Sequence, residues 1–300
     1  MRLHELHNKG VARPRRLGFC VTFLAGALAL GCDTGSHGRD ASPASSQRLA
    51  QVSVRLDYPS DSAPAVSVLA FRAEAIDMVA SDVLGAVDPL VTPSPESSCE
   101  LRDVAGAARA LRNQGGAVNL EELGGVSLQV DGDETLRPAP RVYPPLADVV
   151  GGVIGEAGPR DLVQVPDAFT LAVSTEREPS ATLKLALPAA PAIADGNEAP
   201  LDTRTSMSMK GDLVLRVAGP PRTFLEIRPF GAPSAIACAV STGGWVVVPH
   251  DLLVKLVATA GRAPVSFEAV WRENRLLPVG NETTRVSFEA RSSAVLDLKP

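Results

Sequence analysis

Histidine is the side chain that most often supplies acid–base chemistry or zinc ligation near neutral pH, and this chain contains four. His4 and His7 lie in the first 31 residues and His37 lies in a polar stretch that follows, so His250 alone falls in the part predicted to fold. A zinc site built from two or three histidines is therefore excluded by count. HExxH, CxxC, GxSxG, SxxK, Walker A and GxGxxG patterns are absent from the sequence, and we predict no metal or cofactor site.

The pair His250-Asp251, directly after Pro249, is the one position to weigh as a catalytic base. Adjacent residues on a helix do not face each other, so Asp251 would not orient the imidazole. A general base also needs a nucleophile within hydrogen-bond reach, and no motif supplies one. We interpret the pair as polar residues in the first turn after a strand, and predict that the protein is not an enzyme. A hydrolase with an unrecognised active site is the alternative.

Two acidic clusters, VDGDETL at Val130–Leu136 and ADGNEAP at Ala194–Pro200, could suggest calcium binding. Each contains an Asp-Gly step, which is typical of hairpin turns and loops. The calcium-loop pattern of alternating Asp or Asn residues followed by Gly is absent. We therefore predict turns at both places.

The chain has two tryptophans, Trp245 and Trp271, and exposed aromatic rings are a common means of binding sugars. Trp271 falls on the apolar face of its predicted strand, which indicates a core position. Trp245 follows Gly243-Gly244, which favours an exposed position. One exposed ring is weak evidence for a glycan surface.

The chain begins with a basic segment followed by an uncharged run of 16 residues, Leu17–Cys32. This run is shorter than the roughly 20 apolar residues that span a bilayer, and small polar residues follow it. The pattern predicts a secretory signal peptide, with a membrane span as the alternative. The pair Arg15-Arg16 also leaves a twin-arginine export signal open.

The end of that run, LALGC at Leu28–Cys32, resembles the lipobox of bacterial lipoprotein precursors. The resemblance implies cleavage between Gly31 and Cys32 and diacylation of the Cys32 sulfur. Two or more acyl chains, at about 0.8 kcal/mol per buried CH₂, would hold the protein stably on a membrane. We therefore expect a lipid-anchored cell-envelope protein that faces the periplasm or the cell surface; an ordinary secreted protein is the alternative.

The charge balance of the chain bears on its partners. The whole sequence has 29 basic and 34 acidic residues, and without residues 1–31 it keeps 24 basic and 33 acidic residues. Nucleic-acid binding depends on clustered Lys and Arg, so an acidic body of this kind is not expected to bind nucleic acid. Anionic lipid would not attract it either, which leaves attachment to the acyl chains. A protein or glycan partner in the envelope stays open.

The sequence divides into five segments by composition. Residues 1–31 form the signal peptide, and residues 32–49 are predicted to be a flexible tether because they contain few apolar side chains. Residues 50–187 are predicted to form an N-terminal β domain. Residues 188–200, rich in Pro and Ala, are predicted to be a connector, and residues 201–300 are predicted to form a C-terminal β-sandwich domain.

Apolar residues alternate with polar residues through most of the predicted folded part, which is typical of half-buried strands. Clear examples are QVSVRLDY at 51–58, ATLKLAL at 181–187 and DLVLRVAG at 212–219. The pentapeptide VSFEA occurs at Val265 and again at Val286, and we interpret both as strands rather than as a duplication. Helices are predicted only at Asp103–Asn113 and Pro249–Leu256. The fold class predicted is mostly β, with two antiparallel β-sandwich-like domains.

Cys20 lies in the signal peptide and Cys32 is the predicted lipid site, which leaves Cys99 and Cys238. Disulfides persist in exported proteins, and a bond here would close a loop of about 140 residues across the connector. Cys238 lies in an apolar stretch, SAIACAVS, where a buried free thiol is also stable. The sequence therefore leaves the pairing open.

Two stretches of the body, Gly115–Val130 and Ser234–Leu256, resemble recurring segments of secreted lipoproteins from gliding soil bacteria, the myxobacteria. The resemblance implies a two-part β body and no mechanism. We therefore expect a non-enzymatic binding or structural module on the cell envelope.

Overall fold

The computed structural model describes residues 46–59, 62–76, 98–103, 117–131, 134–146, 150–175, 178–232, 234–260 and 263–299. Their strands are β1 (Ser46–Tyr58), β2 (Ala65–Ile76), β3 (Cys99–Asp103), β4 (Ala117–Glu121), β5 (Val126–Asp131), β6 (Glu134–Leu136), β7 (Ala139–Leu146), β8 (Val150–Asp161), β9 (Ala168–Thr175), β10 (Glu178–Ala186), β11 (Ala192–Asp195), β12 (Ser206–Ser208), β13 (Leu213–Ala218), β14 (Phe224–Pro229), β15 (Ser234–Ala239), β16 (Trp245–Val248), β17 (Val265–Val279) and β18 (Glu282–Lys299). Their helices are α1 (His250–Ala260) and a 3₁₀ turn at Leu201–Thr203. The predicted mostly β class is confirmed.

The largest sheet runs in the order β3-β15-β14-β17-β18-β1-β2-β4-β8-β7, and β12 also pairs with β18. β1, near the start of the described chain, lies parallel to β18 at its end, with Val54 opposite Phe288. The pairs β4–β8 and β12–β18 are parallel as well, which differs from the antiparallel pairing expected from the sequence. The sheet therefore joins strands from both halves of the chain.

Two smaller sheets cover one face of the large sheet. The four-stranded sheet β10-β9-β5-β6 packs over β1 and β2, and the three-stranded sheet β11-β13-β16 packs with α1 over β14 and β17. Phe169 of β9 packs edge-to-face on Phe288 of β18, with ring centroids 6.1 Å apart. This contact joins the four-stranded sheet to the large sheet. This arrangement is a sandwich whose two halves share one continuous sheet.

The two largest hydrophobic clusters of the described residues lie between these layers, and we refer to them as the first and second cores. The first contains Val52, Val54 and Leu56 of β1, all fully buried, in line with the alternation seen in the sequence. The second contains Leu215 of β13 and Phe267 of β17. The division between the cores falls near residues 188–200, but those residues include strand β11, and the large sheet is continuous across the predicted boundary.

The hairpin of β17 and β18 contributes to both cores. Its 15- and 18-residue strands meet at Gly280-Asn281, where Gly280 has φ 58°, a left-handed conformation that glycine adopts at little cost. The two VSFEA segments lie on these two strands, so the interpretation of both as strands is confirmed. Val286 and Phe288 pack in the first core, whereas Phe267 and Leu296 pack in the second. The large sheet is therefore continuous between the two cores through this hairpin.

Helix α1 is predicted from Pro249 and extends past the predicted end at Leu256 to Ala260. Leu253 and Leu256 are fully buried in the second core, three positions apart on one face. The helix predicted at Asp103–Asn113 lies outside the described residues, except that Asp103 ends strand β3. The signal peptide and most of the tether lie outside them as well.

Candidate functional site

The structure describes two of the three cysteines to which the sequence analysis assigned a role. Cys32 lies outside the described residues. Cys99 and Cys238 form a disulfide, with their Cα atoms 4.0 Å apart and facing each other across β3 and β15. The bond ties β3, from the first half of the chain, to the edge of the sheet over the second core.

His250 lies at the start of α1, where its backbone N–H donates to the Asp212 carboxylate at 2.9 Å. Asp251 accepts a hydrogen bond from Lys255 at 3.1 Å, an exposed pair one helical turn apart. His250 is exposed, and among the described residues its hydrogen bond goes to Asp212 rather than to a nucleophilic side chain. The geometry at this position is that of polar residues at a helix start.

The acidic cluster at 194–200 forms a turn, as predicted, because the Asp195 carboxylate accepts the N–H groups of Asn197 and Ala199 at 2.8 and 3.0 Å. The Arg204 guanidinium also pairs with it. Burial acts to raise the pKa of Asp195, but the two N–H groups and Arg204 together hold it below its ordinary value. In the cluster at 130–136, β5 and β6 pair antiparallel, as a hairpin requires.

The sequence predicted that Trp271 lies in the core, but the structure places it at the edge of the first core. It is half-buried, its ring packs edge-to-face on Phe288 with centroids 5.6 Å apart, and its side chain lines a surface groove. Trp245 is 39% exposed, and the Arg216 guanidinium lies 5.9 Å from its ring centroid. Strand alternation places Trp271 on the inner face correctly, but the inner face opens to solvent where the two cores meet.

The groove beside Trp271 has a volume of about 670 Å³ and lies between the end of β10, the end of β13 and β17. Its walls are mostly small apolar residues of the segments 186–190 and 218–220. Glu273 and Arg275 follow Trp271 on the same face of β17 and are ion-paired at 3.0 Å. Arg275 also donates to the backbone carbonyl of Lys184 at 3.3 Å, which fixes its position across the groove.

A second groove, of about 570 Å³, adjoins the first and shares Ala218, Gly219 and Pro220 with it. It lies between the β13–β14 turn and the β15–β16 turn. Arg216 and Arg222 line it, together with hydroxyl-bearing residues of both turns, and its lining contains no acidic residue. We define the joined grooves as the Trp271–Arg222 cleft and take it as the candidate binding site.

A buried ionic cluster lies on the opposite face of the large sheet, where sequence analysis had predicted no such feature. Its members are carboxylates and guanidiniums on three neighbouring strands: Glu226, Arg228, Glu268, Arg272, Glu289 and Arg291. Arg291 donates to Glu268 at 2.9 Å and to Glu289 at 2.7 Å, and Arg272 donates to Glu289 at 2.6 Å. The signal in the sequence was the alternation of charged and apolar residues within the two VSFEA strands and β14.

Burial shifts the protonation of this cluster. Glu226 is 1% exposed, its Oε2 atom has no hydrogen-bond partner, and Glu268 lies directly opposite on β17. Desolvation raises the pKa of Glu226 above its ordinary value despite the pairing with Arg228. Desolvation opposes the charge of Arg291, but Glu289 and Glu268 outweigh it and raise the Arg291 pKa. The described members are three carboxyl groups and three guanidiniums, and each carboxyl group has a guanidinium partner within the cluster.

Comparisons with known proteins supply no relative: no family model, curated protein or solved structure matches the chain. Within the described ranges, three or more His, Cys, Asp or Glu side chains nowhere converge in a way that could hold a metal ion. The helix search of the same residues finds none that is long and apolar enough to cross a membrane.

Proposed function

We propose that the protein is a lipid-anchored cell-envelope protein whose β body acts as a non-enzymatic binding module. The N-terminal LALGC motif supports the anchor, through Cys32 at the start of the mature chain. The observation that carries the compartment is the Cys99–Cys238 disulfide, because such bonds persist outside the reducing cytosol.

Binding is supported by the Trp271–Arg222 cleft. It combines a partly exposed aromatic ring with a few fixed polar groups in a concave site, which is the usual make-up of a small-ligand site. These features are sufficient for binding a ligand and do not require a catalytic group. Val217 and Val240, which line the second groove, also pack in the second core, so this core supports the turns that form the groove.

The anchor is tested by changing Cys32 to Ser in the native bacterium and fractionating the cells. We expect the variant to move to the soluble fraction or to accumulate as uncut precursor, because the sulfur that accepts the lipid is gone. Mass spectrometry of the wild-type N-terminal peptide should show a diacylglyceryl group on Cys32.

Cys20→Ser is the matched control, since it changes another cysteine of the same N-terminal segment outside the lipobox. It should leave the protein in the membrane fraction at mature length. A Cys32→Ser protein that still sediments with membranes at mature length would rule out acylation as the anchor.

A further inference from the structure

We infer that the Trp271–Arg222 cleft binds an acidic oligosaccharide, with a sugar ring on Trp271 and a carboxylate at Arg222. The inference rests on the proposed binding function and names its ligand class. Three features of the cleft carry it: the composition of the first groove, the unpaired cation of the second, and the wall that the two grooves share.

The first groove suits a sugar better than a purely apolar ligand. The Trp271 ring and the small Ala and Pro side chains of its walls offer apolar surface for the C–H face of a sugar ring. Glu273 and Arg275, ion-paired at 3.0 Å within the groove, offer planar acceptor and donor groups for hydroxyls. An acyl chain in the same place would remove water from this ion pair without replacing its hydrogen bonds, which is unfavourable.

The second groove provides for negative charge. Arg222 is exposed and has no ion-pair partner among the described residues, and no acidic residue lines the groove. The guanidinium of Arg222 is therefore available to an anionic ligand at a concave surface. A carboxylate can accept two parallel hydrogen bonds from such a guanidinium, which gives both strength and orientation.

The backbone holds Arg222 in place at a conformational cost. Arg222 has φ 74°, a left-handed conformation that is unfavourable for a residue with a side chain. The turn is closed by Thr223, whose N–H and Oγ1 both donate to the Pro220 carbonyl, at 3.2 and 2.7 Å. Gly219 permits this closure, since a Cβ there would lie 2.5 Å from Thr223 Oγ1. The strained turn directs position 222 to the groove rather than to the strand ladder.

Ala218, Gly219 and Pro220 line both grooves, so we expect a ligand longer than one sugar ring to cross this segment and to contact Trp271 in one groove and Arg222 in the other. A chain of linked sugars with carboxylates fits this arrangement, because neighbouring rings can occupy the two grooves. The ligand class is therefore a uronic-acid-containing oligosaccharide.

The test uses the full-length protein purified from its native envelope, with Trp245→Phe as the background, because Trp271 is then the sole tryptophan. Intrinsic fluorescence is titrated with trigalacturonate and with the same trimer methyl-esterified on its carboxyls. We expect saturable quenching by both, with about tenfold tighter binding of the acidic trimer, as a charge-assisted hydrogen bond provides. No quenching by either trimer would overturn the inference.

Arg222→Gln should bring the affinity for trigalacturonate down about tenfold, to that of the esterified trimer, and leave the latter unchanged. Arg137→Gln, an exposed arginine on a different loop, is the matched control and should change neither affinity. Unchanged binding of trigalacturonate to the Arg222 variant, or saturable binding of octanoate in place of both trimers, would overturn the inference. The Cys32 fractionation does not depend on these variants, so failure of the anchor and failure of saccharide binding are distinguishable.

Discussion

Glu226 is a carboxyl group placed where water is almost absent and a second carboxyl group faces it. Its neighbours on β14 in sequence, Leu225 and Ile227, point into the second core, so alternation alone directs Glu226 to the opposite face. On an open sheet that face would be solvated. Here Glu226 is buried, and its protonated form is favoured.

This environment predicts a specific pH dependence of stability. Because the folded-state pKa of Glu226 is raised above the ordinary value of 4.5, its stabilising contribution is fully present below that pH and is lost as pH rises through the raised pKa. The unfolding free energy of wild type minus that of Glu226→Gln should therefore fall between pH 4 and pH 7. Urea titrations at both pH values measure it.

Glu121→Gln, at an exposed position on β4 with no ion pair to another described residue, controls for removal of one carboxylate. A difference between wild type and Glu226→Gln that stays constant from pH 4 to pH 7 would show that Glu226 is as readily ionised in the fold as in the unfolded chain.

At the scale of elements, the β17–β18 hairpin holds the molecule together on both of its faces. Its inner face supplies apolar side chains to both cores, and its outer face supplies four members of the ionic cluster. Arg291 of β18 is the link between strands, since it pairs with Glu289 on its own strand and with Glu268 on β17. The cluster therefore acts on strand pairing rather than on any one strand.

Arg291→Met should destabilise the fold by about 3–5 kcal/mol, because it leaves the carboxylates of Glu268 and Glu289 buried with a partner missing. Chemical denaturation measures the loss. Arg285→Gln, on the same strand but without an ion-pair partner in the described structure, is the matched control and should change stability by less than about 1 kcal/mol. Equal effects of the two substitutions would show that the cluster adds nothing beyond an ordinary surface arginine.

At the scale of the whole molecule, one sheet serves two cores, and the disulfide fixes its edge. β3 belongs by sequence to the first half but pairs with β15 over the second core. Cys99 and Cys238 are 139 residues apart, so their bond restricts the unfolded chain strongly.

Removing the disulfide should lower the unfolding free energy by about 2–5 kcal/mol. Cys99→Ala, Cys238→Ala and the double variant should be destabilised to a similar extent, since either change breaks the same bond. Thermal denaturation of all three, with reduced wild type alongside, measures this. A Cys99→Ala protein as stable as wild type, with only Cys238→Ala destabilised, would show that the two cysteines act independently.

Much of the fold was predictable because local patterns and final environments agree. The alternation in β1 and β13 matches their buried and exposed positions, and Pro249 and Asp251 correctly indicated the start of α1. The turn at Asp195 was predictable for the same reason, since an Asp side chain bonds backbone groups a few residues away. For the candidate site, the sequence identified both tryptophans but not Arg222. Arg222 is distinguished by its left-handed backbone conformation and by having no ion-pair partner among the described residues, and neither property is visible in the sequence.

By itself, the sequence determined the period of each strand, the turn residues, the scarcity of histidine and the export-like N-terminus. These follow from short-range chemistry, in which each residue acts on near neighbours. Only the tertiary structure decided that β1 pairs in parallel with β18, that Trp271 lies at the edge of a core, and that alternating charges on β17 and β18 are buried. The alternation within a strand specifies which of its residues share a face. The layer that covers this face comes from distant parts of the chain. The burial of a side chain and the strand that pairs with its own are therefore long-range properties.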